Sequence, residues 1–199
     1  QVQARQQSLP APALLKEILE NDQVAILQDL LKSIDDVDLA PLDRMLLQAN
    51  VNILSYAAQH NAAKCGVYLV NRGLDAAATT ANGSNFLHFA AAANSIKFVE
   101  AIVTQTEMAE GIVNHPNSHG YAPLGIALQR SNLDLAERLM ESKYFDPDAR
   151  PVPDASVLMA AVIYGPIEAV DLVINAVPED QLSPDANFVG TTALQLVLE

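Results

Sequence analysis

Four histidines (His60, His88, His115, His119) and one cysteine, Cys65, are the side chains of this 199-residue chain most apt for nucleophilic or metal chemistry. His115 and His119 stand four apart in Asn114-His-Pro-Asn-Ser-His-Gly120, a spacing that binds metal when it lies on a helix. Pro116 and Gly120 make the stretch a loop, with no cysteine nearby and no carboxylate within it, so it reads as a polar insertion. Cys65 occupies an apolar position of a helical pattern, where burial as a small hydrophobe is expected over a reactive thiol. Being alone, it excludes an internal disulfide and any multi-cysteine metal site. No Ser or Cys has a base and an orienting acid in a local motif, and the eight glycines are scattered at turns instead of cradling a phosphate. The acid pairs Asp35-Asp36, Asp146 with Asp148, and Glu179-Asp180 follow helical patterns, where solvated loop carboxylates are common. The chemistry-bearing residues therefore point away from an enzyme, and no cofactor, metal or small-molecule substrate is expected.

Charge narrows the classes further. Twenty-four acidic residues against eleven basic ones leave a net charge of −13. Neutralising phosphates needs clustered Lys and Arg, so nucleic acid is an unsuitable partner, as is an anionic membrane surface. Apolar runs are short and broken by Asn, Gln or charge, and none reads as a membrane span. Gln1 to Leu9 is polar and lacks the apolar stretch of a signal peptide, although the chain begins without Met and a lost leader is compatible with it. A single cysteine points to a reducing, cytoplasmic setting.

The elements that position these residues emerge from an internal repeat. Asn52-Ile-Leu-Ser-Tyr-Ala-Ala-Gln-His-Asn61 aligns with Asn85-Phe-Leu-His-Phe-Ala-Ala-Ala-Ala-Asn94. Ala122-Pro-Leu-Gly-Ile-Ala-Leu-Gln-Arg-Ser131 and Ser156-Val-Leu-Met-Ala-Ala-Val-Ile-Tyr-Gly165 follow the same template, and Thr192 to Glu199 is a partial copy. The starts are 33, 37, 34 and 36 residues apart. Each complete copy continues into a second stretch of helical period: Lys64 to Asn71, Ile96 to Val103, Leu133 to Met140 and Ile167 to Ile174. Asn52, Asn85, Ser156 and Thr192 suit N-caps, and Pro123 compensates for the non-capping Ala122. Asn61, Asn94, Ser131 and Gly165 fall at the tight turns between helices, where a small or left-handed-tolerant residue is required.

These residues resemble the ankyrin repeats. The family's Gly-x-Thr-Pro-Leu-His-x-Ala-Ala appears as Gly83-Ser-Asn-Phe-Leu-His88-Phe-Ala-Ala91, and in part as Gly120-Tyr-Ala-Pro123-Leu124 and Gly190-Thr-Thr192-Ala-Leu194. Its Gly-Ala-Asp helix ending appears as Gly73-Leu-Asp75. The resemblance covers residues 50–199 and implies an all-α ankyrin-repeat solenoid of about four full repeats. Ala13 to Leu19 and Val24 to Leu31 form a degenerate N-terminal unit within residues 13–49, as an end repeat that faces water should. Val37 to Gln48 is expected to be an elongated loop or short extra helix, and residues 1–12 a mobile lead-in. The last copy stops inside its first helix, so the array is expected to continue beyond Glu199. Leu198-Glu199 also fits a cloning scar.

The resemblance also implies where function resides. His88 falls at the family's structural, hydrogen-bonding histidine. Partners of such arrays bind the loop tips and the exposed face of the first helices, a concave surface. Carried over, the exposed positions are Tyr56, Gln59 and His60; Phe89, Ala92 and Ala93; Ile126, Gln129 and Arg130; and Ala160, Ile163 and Tyr164. Of these, Tyr56, His60, Phe89, Ile126, Arg130, Ile163 and Tyr164 are the expected partner-binding residues, with Phe89 and Ile126 equally suited to packing between helices. Arg130 is the one formal charge in the four first-helix segments. Glu100, Asp134, Glu137, Glu141, Glu168 and Asp171 lie in second helices or directly after them. The expectation is a cytoplasmic protein–protein interaction module. A secreted bacterial effector acting on a host protein, or a regulatory module of a larger enzyme, are the alternatives.

Overall fold

The computed structural model describes residues 11–32, 51–105 and 110–178. Their helices are α1 (Pro12–Glu20), α2 (Val24–Lys32), α3 (Ile53–Gln59), α4 (Ala63–Asn71), α5 (Phe86–Ala93), α6 (Ile96–Gln105), α7 (Glu110–Val113), α8 (Pro123–Gln129), α9 (Leu133–Met140), α10 (Val157–Tyr164) and α11 (Ile167–Ala176). Each is too short to hold alone in water, so stability comes from stacking. First helices α1, α3, α5, α8 and α10 pack in sequence as one layer, and second helices α2, α4, α6, α9 and α11 form the other. Leu15, Ile18, Leu27, Leu31, Ile53, Leu69, Phe86 and Phe98 are fully or almost fully buried in a continuous core. Phe86 and Phe98 meet there with ring centroids 5.9 Å apart. Among the described residues there is no extended sheet, only an isolated bridge between Val152 and Ala155.

The sequence sets the helix boundaries through local bonds. Asn52 accepts from Ser55 N and Ser156 from Met159 N, while α8 begins on Pro123 with no side-chain cap. Asp22, Asn61, Asn94 and Ser131 turn between paired helices at φ of 49°, 54°, 54° and 57°. Gly73, at φ 91°, ends α4 by directing its N–H to Val70 O and the next N–H to Leu69 O. Gly165 departs from the pattern: its φ is −93°. A Cβ there would lie 2.5 Å from the Ala169 Cβ, so smallness is what this turn uses.

Turn residues also join neighbouring units. Asp22 accepts from the N–H groups of Cys65 (2.9 Å) and Lys64 (3.3 Å) at the start of α4. Asn61 does the same for Phe98 N (2.9 Å) at the start of α6. Each satisfies a helix donor that has no intrahelical partner. Asn61 thus has two jobs that can be separated. Asn61→Ala loses the cap and forces alanine into a left-handed conformation, and should cost about 2 kcal/mol; Asn61→Gly should recover about half. Urea unfolding checks this, and equal midpoints for the two variants would refute the division.

Short loops protrude between units at Thr80–Ser84, Asn117–Tyr121 and Val152–Ala155, turning at Gly83, Gly120 and Asp154, all of positive φ. They are tied together: Ser118 N donates to Asn82 O (2.8 Å) and Ala122 N to Pro151 O (2.9 Å). One expectation changes and one element is added. Pro12, placed in the lead-in, is the first residue of α1, where its missing N–H is harmless. The longest repeat step, from Asn85 to Ala122, contains the additional helix α7. Residues 1–10, the Val37 to Gln48 segment and the partial copy from Thr192 lie outside the described residues.

Candidate protein-binding face

The exposed ends of the first helices form a row: Gln59 and His60, then Ala92 and Ala93, then Gln129 and Arg130. Ile163 and Tyr164 continue it, half-buried. Helices α3, α5, α8 and α10 contain no charged residue, and the row's one formal charge is Arg130, the C-cap of α8. Beneath the row, Tyr56, Phe89 and Ile126 are half-buried and packed against the core. Ala160, expected to be exposed, is fully buried. It takes the template position of those three, but its single carbon does not reach out between adjacent first helices.

Tyr56 is more engaged than the sequence implied. Its hydroxyl donates to the Glu20 carboxylate of α1, and Lys16 Nζ lies 5.8 Å from its ring centroid. The His60 ring sits 4.6 Å away. Burial, reinforced by Glu20, pushes the phenol up to about 12. Tyr56 thus ties α1 to α3, a contact across 36 residues for which sequence patterning has no signal.

The acids of the later units lie on the other layer. Asp134, Glu137, Glu141, Glu168 and Asp171 are exposed, and Glu100 is half-buried. Arg138 bridges Glu100 (3.1 Å) and Glu141 (2.7 Å). These pairs are solvent-accessible and worth little stability. What they set is a local field: α9 and α11 are acidic, α4 and α6 carry Lys64 and Lys97, and α3, α5, α8 and α10 carry no charge.

The chemistry-bearing residues have structural roles. His88 is buried at 3% exposure; Nδ1 accepts from Asn85 N (3.1 Å) and Nε2–H donates to Tyr121 O (3.0 Å) of the following unit. Asn85 in turn caps α5 and donates to Ile112 O (2.8 Å). Burial holds the imidazole down at about 4, so it is neutral at physiological pH. Cys65 is fully buried, and burial with the Asp22 charge pushes its thiol up to about 12, which suppresses the nucleophilic thiolate. Asp146 accepts from Asp148 N (3.0 Å), a local turn. Asp35-Asp36 and Glu179-Asp180 lie outside the described residues. His115 and His119 are exposed, and no group of three or more His, Cys, Asp or Glu is placed to hold a metal among the described residues.

One feature had no signal in the sequence pattern. Asn114 donates to Tyr144 O (2.7 Å) and accepts from Asp146 N (3.2 Å), joining two loops. The open groove between them, about 650 Å³, is lined by His115, Lys143, Tyr144 and Phe145 among others. No helix among the described residues is long and apolar enough to cross a membrane.

The family model for ankyrin repeats, in three copies, matches residues 54–151, from α3 to the loop before α10. No curated protein matches the chain. His88 and the helix-pair stack fit what that match implies. Residues 54–151 are ankyrin repeats, a family whose arrays generally mediate protein–protein interaction and are typically not enzymes.

Proposed function

We propose that this protein is an interaction module that docks a partner protein on the row formed by its first helices. One observation carries the reading: the row is uncharged apart from Arg130 and exposes apolar and aromatic surface, while α9 and α11 on the other layer expose Asp134, Glu137, Glu168 and Asp171. Interface energy concentrates in a few aromatic and arginine side chains, and Tyr164 and Arg130 are of those types. Tyr56, Phe89, Ile126 and Ile163 contribute the packed floor, and His60 the far end of the row. The setting we propose is cytoplasmic, supported by a lone cysteine kept as a buried thiol. Recovery of the protein chiefly from culture medium would overturn that setting.

The test uses a partner recovered by affinity capture and titrated calorimetrically. His60→Ala combined with Tyr164→Ala should weaken binding by about tenfold or more, with the melting point lowered by only a few degrees. Glu137→Gln combined with Asp171→Asn, on the opposite layer, should change affinity little. The reverse ranking would place the partner on the second helices. Tyr56→Ala is a poor probe, because loss of the Glu20 bond would lower stability as well.

A further inference from the structure

Resting on that reading of the row, we propose that the docked partner is a protein segment presenting a carboxylate to Arg130, flanked by apolar side chains that cover Phe89 on one side and Tyr164 on the other. The described arginines are Arg72, Arg130, Arg138 and Arg150. Arg72 donates to the Tyr68 hydroxyl (2.9 Å), Arg138 pairs with Glu100 and Glu141, and Arg150 lies 3.9 Å from Asp154. Arg130 alone has no side-chain partner among the described residues, in a chain where acids outnumber bases by more than two to one.

A helix-capping role does not account for it. A cation at a helix C-terminus is worth roughly 0.3–1 kcal/mol, but α5 and α10 end on Asn94 and Gly165 without one. What Arg130 does is set a condition on any partner. A segment that covers the row removes the guanidinium from water, and an uncompensated buried charge costs several kcal/mol. The neighbours Ala92, Ala93, Gln129, Ile163 and Tyr164 bring no anion, so the partner must. A carboxylate fits the guanidinium fork with two parallel hydrogen bonds.

The net charge of −13 does not forbid an acidic segment. The described acids of the second helices lie a layer away, and stacked helix axes are about 8–10 Å apart. That separation is comparable to the screening length of about 10 Å at 0.1 M salt. A contact at Arg130 is several ångströms long at most, so the local pair dominates.

A library of random linear peptides displayed on phage tests this, selected in parallel on the wild-type protein and on Arg130→Glu, with circular dichroism confirming that both fold. Wild-type selection should enrich Asp or Glu flanked by apolar residues, and Arg130→Glu should enrich Lys or Arg there. A synthetic peptide of the wild-type consensus should bind Arg130→Gln about tenfold or more weaker, and Arg130→Lys by less. Enriched peptides without an acid, which bind Arg130→Gln normally yet are lost on Tyr164→Ala, overturn the carboxylate and leave the docking row standing. Absence of enrichment, or peptides indifferent to both substitutions, overturns both.

Discussion

Replacing Gly125 with alanine is expected to destabilise the array by about 3 kcal/mol, against a gain of about 1 kcal/mol that helix propensity alone would give. An added Cβ would lie 2.0 Å from Pro151 O and 2.8 Å from Val152 Cγ1. The carbonyl is backbone and already bound: it accepts from Ala122 N at 2.9 Å, one of the bonds between successive units. Moving it away breaks that bond and leaves Ala122, 2% exposed, with a buried unpaired donor, a further cost of about 1–3 kcal/mol. Otherwise α8 shifts against α10. At about 2–4 °C per kcal/mol for a chain of this size, the melting point should fall by about 6–12 °C. Gly111→Ala is the control, because nothing lies within 4 Å of its added carbon. A Gly125→Ala protein as stable as Gly111→Ala would mean that α8 and the Pro151 loop are not in this contact.

Gly125 also marks the limit of what the sequence made legible. Helix pairs, caps and left-handed turns were readable because each depends on residues within one template. Asn52, Asn85 and Ser156 cap within three residues, and Asn61, Asn94 and Ser131 turn where they stand. The position after the template Leu holds Ser55, His88, Gly125 and Met159, four types with no common local logic. Its occupant answers to the next loop. His88 reaches Tyr121 O, whereas Ser84 O, the corresponding carbonyl beyond Ser55, is served by Thr80 through both its N–H (2.9 Å) and its hydroxyl (3.1 Å). Ser55 Oγ is left buried without a partner among the described residues. At Gly125 the Pro151 carbonyl comes too close for any side chain. The face was legible in outline for the same reason: which residues sit on first helices follows from period. That Tyr56 is held by Glu20, and Cys65 N by Asp22 across 43 residues, depends on how units stack.

His88 gives the second large effect, through pH. Its folded value of about 4 lies below the ordinary 6.5, so between those pH values the unfolded chain binds a proton that the folded one rejects. The contribution to stability is whole above pH 6.5, is lost as pH falls to about 4, and is flat below. The gap of about 2.5 units corresponds to at most about 3 kcal/mol. Counting bonds does not fix the sign. Protonation at Nδ1 gives up the bond from Asn85 N but gains one to Asn85 Oδ1, 2.8 Å away. Burial decides it, since a charged imidazole at 3% exposure has lost its water. His88→Gln cannot titrate, and comparing it with wild type cancels the carboxylates that titrate in the same range. At pH 7 the variant should be about 2 kcal/mol less stable, having lost the contact to Tyr121. Towards pH 4 that deficit should close or reverse, as only wild type carries the buried charge. Urea unfolding of both proteins at pH 7, 5.5 and 4 measures the difference, and a deficit that stays constant across the series would show that His88 accepts its proton in the folded array as readily as in the unfolded chain.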